Sequence, residues 1–234
     1  MARLNSEEWT DPEHVSAYLA HADRFPHRSE GEEVLLDHLP AQPRRILDIG
    51  TGDGRLLALA LAARPDSTGV ALDFSPVMLE GARARFAGDD RVEIVEHDLS
   101  RPLPAELGGF DAVVSSFVIH HLEDERKRAL YGEVLELLEP GGVFANFEHV
   151  ASPTRRLHEA FFDALGEPIE NEDPSDRTVD AWTQAGWLSE LGYEDADCYW
   201  KWLEMALLVG SKPGPPGGAA SQPSPTATSA SNPG

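Results

Sequence analysis

Three aspartates, Asp48, Asp73 and Asp98, close three successive β-rich runs of this chain, and the pairs His120-His121 and Glu148-His149 follow two later runs. A carboxylate in such a position accepts hydrogen bonds from hydroxyl or amino groups and attracts a cation. An imidazole or a carboxylate held nearby can take a proton from a nucleophile. Taken singly, each aspartate reads as a helix cap or a turn residue. Three at consecutive strand ends instead surround the crevice in which open α/β sheets bind ligands. After Asp48 comes Gly50-Thr51-Gly52-Asp53-Gly54, a loop whose glycines let a ligand approach the backbone. The dinucleotide fingerprint needs its third glycine at position 55, which is Arg55. Asp48 and Asp53 would also repel a pyrophosphate docked on the following helix. The rim therefore suits a ligand that carries positive charge and no phosphate. Asp73, 19 residues beyond Gly54, can accept both hydrogen bonds of a ribose diol, and Asp98 can accept from an adenine amino group beside the Leu99 backbone N–H.

Those residues need a scaffold that delivers strand ends to one edge. Apolar runs alternate with amphipathic stretches, the pattern of a parallel sheet covered by helices on both faces. Strands are predicted over 44–49 and 68–73, with an Ala/Leu-rich helix over 55–63 between them. Ser75-Pro76 supply an N-cap and a first-turn proline for a helix reaching Phe86. The run 91–97 alternates charged with apolar residues, as an edge strand does, whereas 110–117 is nearly continuous apolar sequence, as a central strand is. Leu130, Val134, Leu137 and Leu138 make one stripe of a helix that stops at Pro140-Gly141-Gly142, and a strand follows over 143–148. Helices are predicted over 153–165 and 178–191. The last runs, 193–200 and 203–210, lie too close for a helical crossover and must pair antiparallel. Two helices, over 11–25 and 30–39, precede the first strand.

Bulk composition narrows the function classes. The 234 residues suffice for one sizeable core. Nineteen Lys and Arg against 41 Asp and Glu give a net charge of -22, a field that opposes binding to nucleic acid or to an anionic membrane. Cys198 is the single cysteine, so no intrachain disulfide or thiolate metal cluster can form. No run approaches the length of a spanning helix and the first residues are polar. A cytoplasmic monomer or homodimer, without membrane contact, is expected.

The series of motifs is specific. Ile46-Leu47-Asp48-Ile49-Gly50-Thr51-Gly52-Asp53-Gly54 resembles the first motif of the class I S-adenosylmethionine-dependent methyltransferases. Asp73-Phe74-Ser75-Pro76-Val77-Met78 is similar to that family's acidic second strand and next helix, His97-Asp98-Leu99 to its third motif, Phe110-Asp111-Ala112-Val113-Val114 to its fourth strand, and Leu138-Glu139-Pro140-Gly141-Gly142 to the turn before its fifth. The resemblance implies a doubly wound, Rossmann-like, mostly parallel seven-stranded α/β sheet of order 3-2-1-4-5-7-6, with strand seven antiparallel. It implies S-adenosylmethionine as cofactor, bound by Asp48, Gly50, Thr51, Gly52, Gly54, Asp73, Phe74, Met78, Asp98 and Leu99. By the same resemblance Ser116 and Phe117 contact the methionine portion, and Tyr18 and Arg28 reach its carboxylate. The expected organisation is N-terminal helices capping the cofactor site over 1–40, the methyltransferase domain over 41–210, and a disordered tail over 211–234, whose Pro, Gly, Ser, Ala and Thr have little to bury.

Methyl transfer is an in-line displacement, so the protein mainly positions the acceptor and excludes water. His120, His121, Glu148 and His149 are candidate bases, His121 and His149 foremost. Two adjacent histidines on an irregular segment do not preset a coordination geometry, so no metal is expected. Trp182, Trp187, Trp200 and Trp202 either line an acceptor pocket or pack in the core. The expected activity is methyl transfer to a small molecule. The alternatives are a tRNA wobble-uridine modifying methyltransferase, which the charge opposes, and a non-catalytic S-adenosylmethionine-binding regulatory module.

Overall fold

A computed structural model of the chain describes residues 8–13, 15, 16 and 25–214. Helix α1 (Arg28–His38) precedes a regular alternation: β1 (Arg45–Ile49), α2 (Arg55–Ala63), β2 (Thr68–Asp73), α3 (Pro76–Arg85), β3 (Val92–Glu96), β4 (Phe110–Ser116), α4 (Asp124–Leu137) and β5 (Leu138–His149). Helices α5 (Arg155–Leu165) and α6 (Ala181–Leu191) follow, then the hairpin β6 (Glu194–Trp202) and β7 (Met205–Ser211). The seven strands form one sheet of order β3-β2-β1-β4-β5-β7-β6. β1 runs parallel to both β2 and β4, and β7 lies antiparallel to both β5 and β6. The order expected from the motifs is the order observed.

Burial explains the runs. Alternate residues of β1 enter opposite cores: Leu47 and Ile49 pack with Val70, Leu72 and Val113, while Ile46 packs with Leu57, Ala71 and Val114. A strand covered on both faces is apolar throughout. β3, on the outer edge, is only half buried and keeps its charged residues toward solvent. Ser75 caps α3 by accepting from the Met78 N–H at 3.2 Å, with Pro76 in the first turn.

Several boundaries shift by about two residues from the sequence reading, among them the start of α1 at Arg28, of α5 at Arg155 and of β7 at Met205 and the end of β6 at Trp202, and three further differences have a visible cause. Asp180 caps α6 by accepting from the Trp182 and Thr183 N–H groups, so that helix begins at Ala181 rather than at 178. Leu138 already pairs with Phe110, so β5 runs through Pro140-Gly141-Gly142 with a register shift opposite 110–112. Ser211 still belongs to β7, and Lys212 exchanges backbone hydrogen bonds with Gly141 and Gly142. The sheet thus continues past residue 210, and residues 215–234 lie outside those described.

Candidate active site

The carboxyl ends of β1, β2 and β4 open into one cavity. Asp48, at 1 % exposure, accepts through Oδ2 from Thr51 Oγ1 at 2.7 Å and from the Leu57 N–H at 3.2 Å. Its Oδ1 is buried and has no hydrogen-bond partner. Burial raises the Asp48 pKa to about 7, against those two bonds, and the carboxylates of Asp73 and Asp53 add to the rise. Asp73 binds the glycine loop to β2: Oδ2 accepts from the Gly52 N–H and Oδ1 from the Ser75 N–H, each at 2.9 Å. Burial pushes its pKa up despite these bonds. Gly52 has φ +56°, and a Cβ there would point toward Met78 Sδ, 3.6 Å away, so the floor beneath the loop is bare backbone.

The expected cofactor residues mostly converge. Asp48, Gly50, Thr51 and Gly52 line the cavity, as do Asp73, Phe74 and Met78, Leu99, Ser116 and Phe117, and Arg28. Gly54 instead starts α2 with φ +82°, where a Cβ would come within 2.5 Å of the Phe86 ring. Asp98 closes a turn by accepting from the Ser100 N–H at 2.8 Å, and neither residue is part of the lining. Tyr18 lies outside the described residues. Asp53 is ion-paired to Arg85, which offsets the negative charge that the loop was expected to present. Arg28 pairs with buried Glu32 at 2.9 Å and lies over the Phe117 ring. Phe117 itself holds φ +52°, a strained conformation for a side chain without local hydrogen bonding, with its N–H fixed to Phe147 O at 2.9 Å.

Of the four candidate bases, His121 alone lines the cavity. Its Nδ1 is 3.0 Å from Ser175 Oγ, and its ring is 5.9 Å from that of Trp9. Burial, helped by neighbouring His120, pushes the His121 pKa down to about 4 against the pull of Asp176, Asp173 and Glu148, so the ring is neutral at pH 7. His120 stands behind it with Nδ1 2.5 Å from Oε1 of fully buried Glu148. His149 is set between Asp176 Oδ2 at 3.3 Å and Glu204 Oε2 at 3.1 Å. Burial alone would lower its pKa, but those two carboxylates carry it up to about 9, which makes it an imidazolium tying the loop bearing Asp176 to the sheet.

Trp9, Ser175 and Asp176 were not singled out by the sequence. Trp9 lines the cavity from the N-terminal segment, its carbonyl accepting from Ser75 Oγ at 2.5 Å. The four later tryptophans are elsewhere: Trp182 is 64 % exposed, and Trp187, Trp200 and Trp202 pack against the two cores.

A family model for a methyltransferase domain matches residues 46–142. A demethylmenaquinone methyltransferase of Clavibacter sepedonicus is 34% identical over 173 residues, covering 68% of this chain and 69% of that protein. The chain belongs to the class I S-adenosylmethionine-dependent methyltransferases. This methyltransferase superposes on an O-methyltransferase family protein from Burkholderia thailandensis with a TM-score of 0.71 at 20% identity, over 91% of this chain and 63% of that one. It superposes on human N-acetylserotonin methyltransferase in complex with S-adenosylmethionine with a TM-score of 0.68 at 16% identity, over 90% and 59% of the two chains. At such identities the fold is what is shared, and the methyltransferase spans less than two thirds of either structure. Its cofactor is S-adenosylmethionine. The cavity fits that group: an unpartnered buried carboxylate oxygen on Asp48 suits positive charge, and the bare loop at Gly52 leaves room against the backbone. Among the described residues no helix is long and apolar enough to cross a membrane.

Proposed function

We propose that this methyltransferase methylates a small molecule whose nucleophile enters beside His121, Ser175 and Trp9. The observation that carries the reading is a neutral, nearly buried imidazole lining the same cavity as Asp73 and the glycine loop. The net charge of -22 supports a small acceptor over RNA. So does the name of the 34%-identical relative, a demethylmenaquinone methyltransferase.

In this reading Asp73 accepts from the ribose hydroxyls through the lone pairs that Gly52 and Ser75 leave unused. Phe74 and Met78 flank the adenine, and the Leu99 N–H faces its edge. The Gly50 to Gly52 backbone, Asp48, Ser116 and Phe117 hold the methionine end, with Arg28 near its carboxylate. The segment before β1 caps the site through Trp9 and Arg28. The sulfonium supplies the leaving group. The protein fixes the line of approach and keeps water out, and His121 activates the acceptor. Tritiated S-adenosylmethionine incubated with the enzyme and a metabolite extract is expected to label small molecules. Label confined to added tRNA, or no label in a single turnover, contradicts the reading.

Asp48 makes cofactor binding depend on pH. Its raised pKa means that the free protein holds the proton below about 7. A cationic ligand favours the ionised form, so binding releases the proton and affinity falls as pH drops through that value. Calorimetry should show S-adenosylmethionine binding about tenfold more weakly at pH 6 than at pH 8 if only the carboxylate form binds. Asp48→Asn should flatten the profile. An unchanged slope in that variant places the titrating group elsewhere.

A further inference from the structure

We propose that His120 Nε2, His121 Nδ1 and Asp176 Oδ1 form a site for a zinc-type divalent cation, whose open fourth position receives an oxygen or sulfur nucleophile of the acceptor. The proposal rests on the reading that the acceptor enters past His121, and it assigns the means by which His121 acts. One potential ligand atom from each of these three residues lies within 4.8 Å of the other two. Asp176 Oδ1 is 3.4 Å from each of the two nitrogens. Tetrahedral coordination with bonds of about 2.0–2.1 Å places its ligands roughly 3.3–3.4 Å apart, so both measured edges already have that length. The same separation is too long for a good hydrogen bond, and Asp176 Oδ1 is a buried oxygen with no hydrogen-bond partner.

The surrounding groups orient the lone pairs. His120 Nδ1 is 2.5 Å from Glu148 Oε1. A ring that donates there carries its lone pair on Nε2, toward Asp176, the carboxylate-histidine arrangement that supports metal ligands. Glu148 is fixed in turn by accepting from the backbone N–H groups of His120 and His149. His149 occupies the other oxygen of Asp176 and leaves Oδ1 for the cation. Ser175 Oγ, 3.0 Å from His121 Nδ1, is a hydroxyl rotor that can turn away. His121 lines the cavity, while His120 and Asp176 do not, so protein closes one side of the ion and the cavity the other. Two imidazoles with one carboxylate suit zinc or cobalt, whereas magnesium prefers an octahedron of oxygens. A hydroxyl or thiol coordinated at the open position ionises more readily, its proton passing to solvent.

The test is titration of the metal-stripped full-length protein with Co2+, followed by its visible ligand-field absorption and by competition with Zn2+, with S-adenosylhomocysteine binding measured on every sample. One equivalent of four-coordinate Co2+, displaced by Zn2+ and bound at least about tenfold more weakly by Asp176→Asn and by His120→Gln, is expected. Intact S-adenosylhomocysteine binding in those variants shows that they are folded. No band in a wild-type protein that binds S-adenosylhomocysteine overturns the metal site and leaves the methyltransferase reading standing, as does a band that neither variant weakens. A band in a protein that binds no S-adenosylhomocysteine supports the metal site and contradicts the cofactor assignment.

Discussion

Asp73→Ala is expected to weaken S-adenosylhomocysteine binding about a hundredfold or more. The carboxylate is nearly buried and organises two loops at once, accepting from Gly52 on one side and Ser75 on the other. Each oxygen has a second lone pair for a ribose hydroxyl. Hydrogen bonds to a charged group contribute about 1.5–3 kcal/mol each, and two of them correspond to roughly two to four powers of ten in affinity. Alanine also releases the Gly52 N–H, so the floor of the site loses its anchor. Asp73→Asn separates the effects: it keeps the shape and one acceptor, and its loss should be smaller. Calorimetric affinities within threefold of wild type for Asp73→Ala would remove the ribose from this residue.

His121→Ala is expected to lower kcat/KM for the acceptor by about a hundredfold, within the range for loss of one activating group, while S-adenosylhomocysteine affinity stays within about twofold. The ring belongs to the turn after β4, where His121 N donates to Val118 O, and it takes no part in the bonds that hold Asp48, Asp73 or the glycine loop. A loss in kcat/KM without a loss of cofactor affinity therefore identifies a group acting on the acceptor. Equal losses in both would make His121 a packing residue. A fall of less than threefold in kcat/KM would remove it from the chemistry.

The donor side of the cavity was legible in the sequence because its determinants are local. A buried strand, a glycine loop and the N-terminus of a helix lie within a dozen residues around Asp48, and the same pattern recurs at Asp73 with Ser75-Pro76 as the cap. Residues that stand at strand ends inherit their place from the sheet. The other wall was hidden because tertiary packing builds it. Asp176 and Ser175 sit on the segment between α5 and α6, which has no hydrophobic period to read, and long-range contacts bring them to His120 and His121: the Arg177 N–H donates to His120 O, and His149 pairs with Asp176. Asp53 meets Arg85 one helix later, an ion pair that spacing alone does not announce. Asp98 shows the opposite limit: it lies two residues past the end of β3, its carboxylate turns to the Ser100 N–H, and Leu99 takes the place on the cavity wall. Trp182 looked suited to a pocket by its residue type, yet the Asp180 cap turns it out from the first turn of α6.

The most direct test is a crystal structure of the protein with S-adenosylhomocysteine. Both ribose hydroxyls should lie within hydrogen-bond distance of the Asp73 carboxylate, with adenine between Phe74 and Met78 and the thioether sulfur on the side of the cavity lined by His121. Adenosine seated away from Asp73, or a sulfur turned from His121, would contradict the assignment of this cavity.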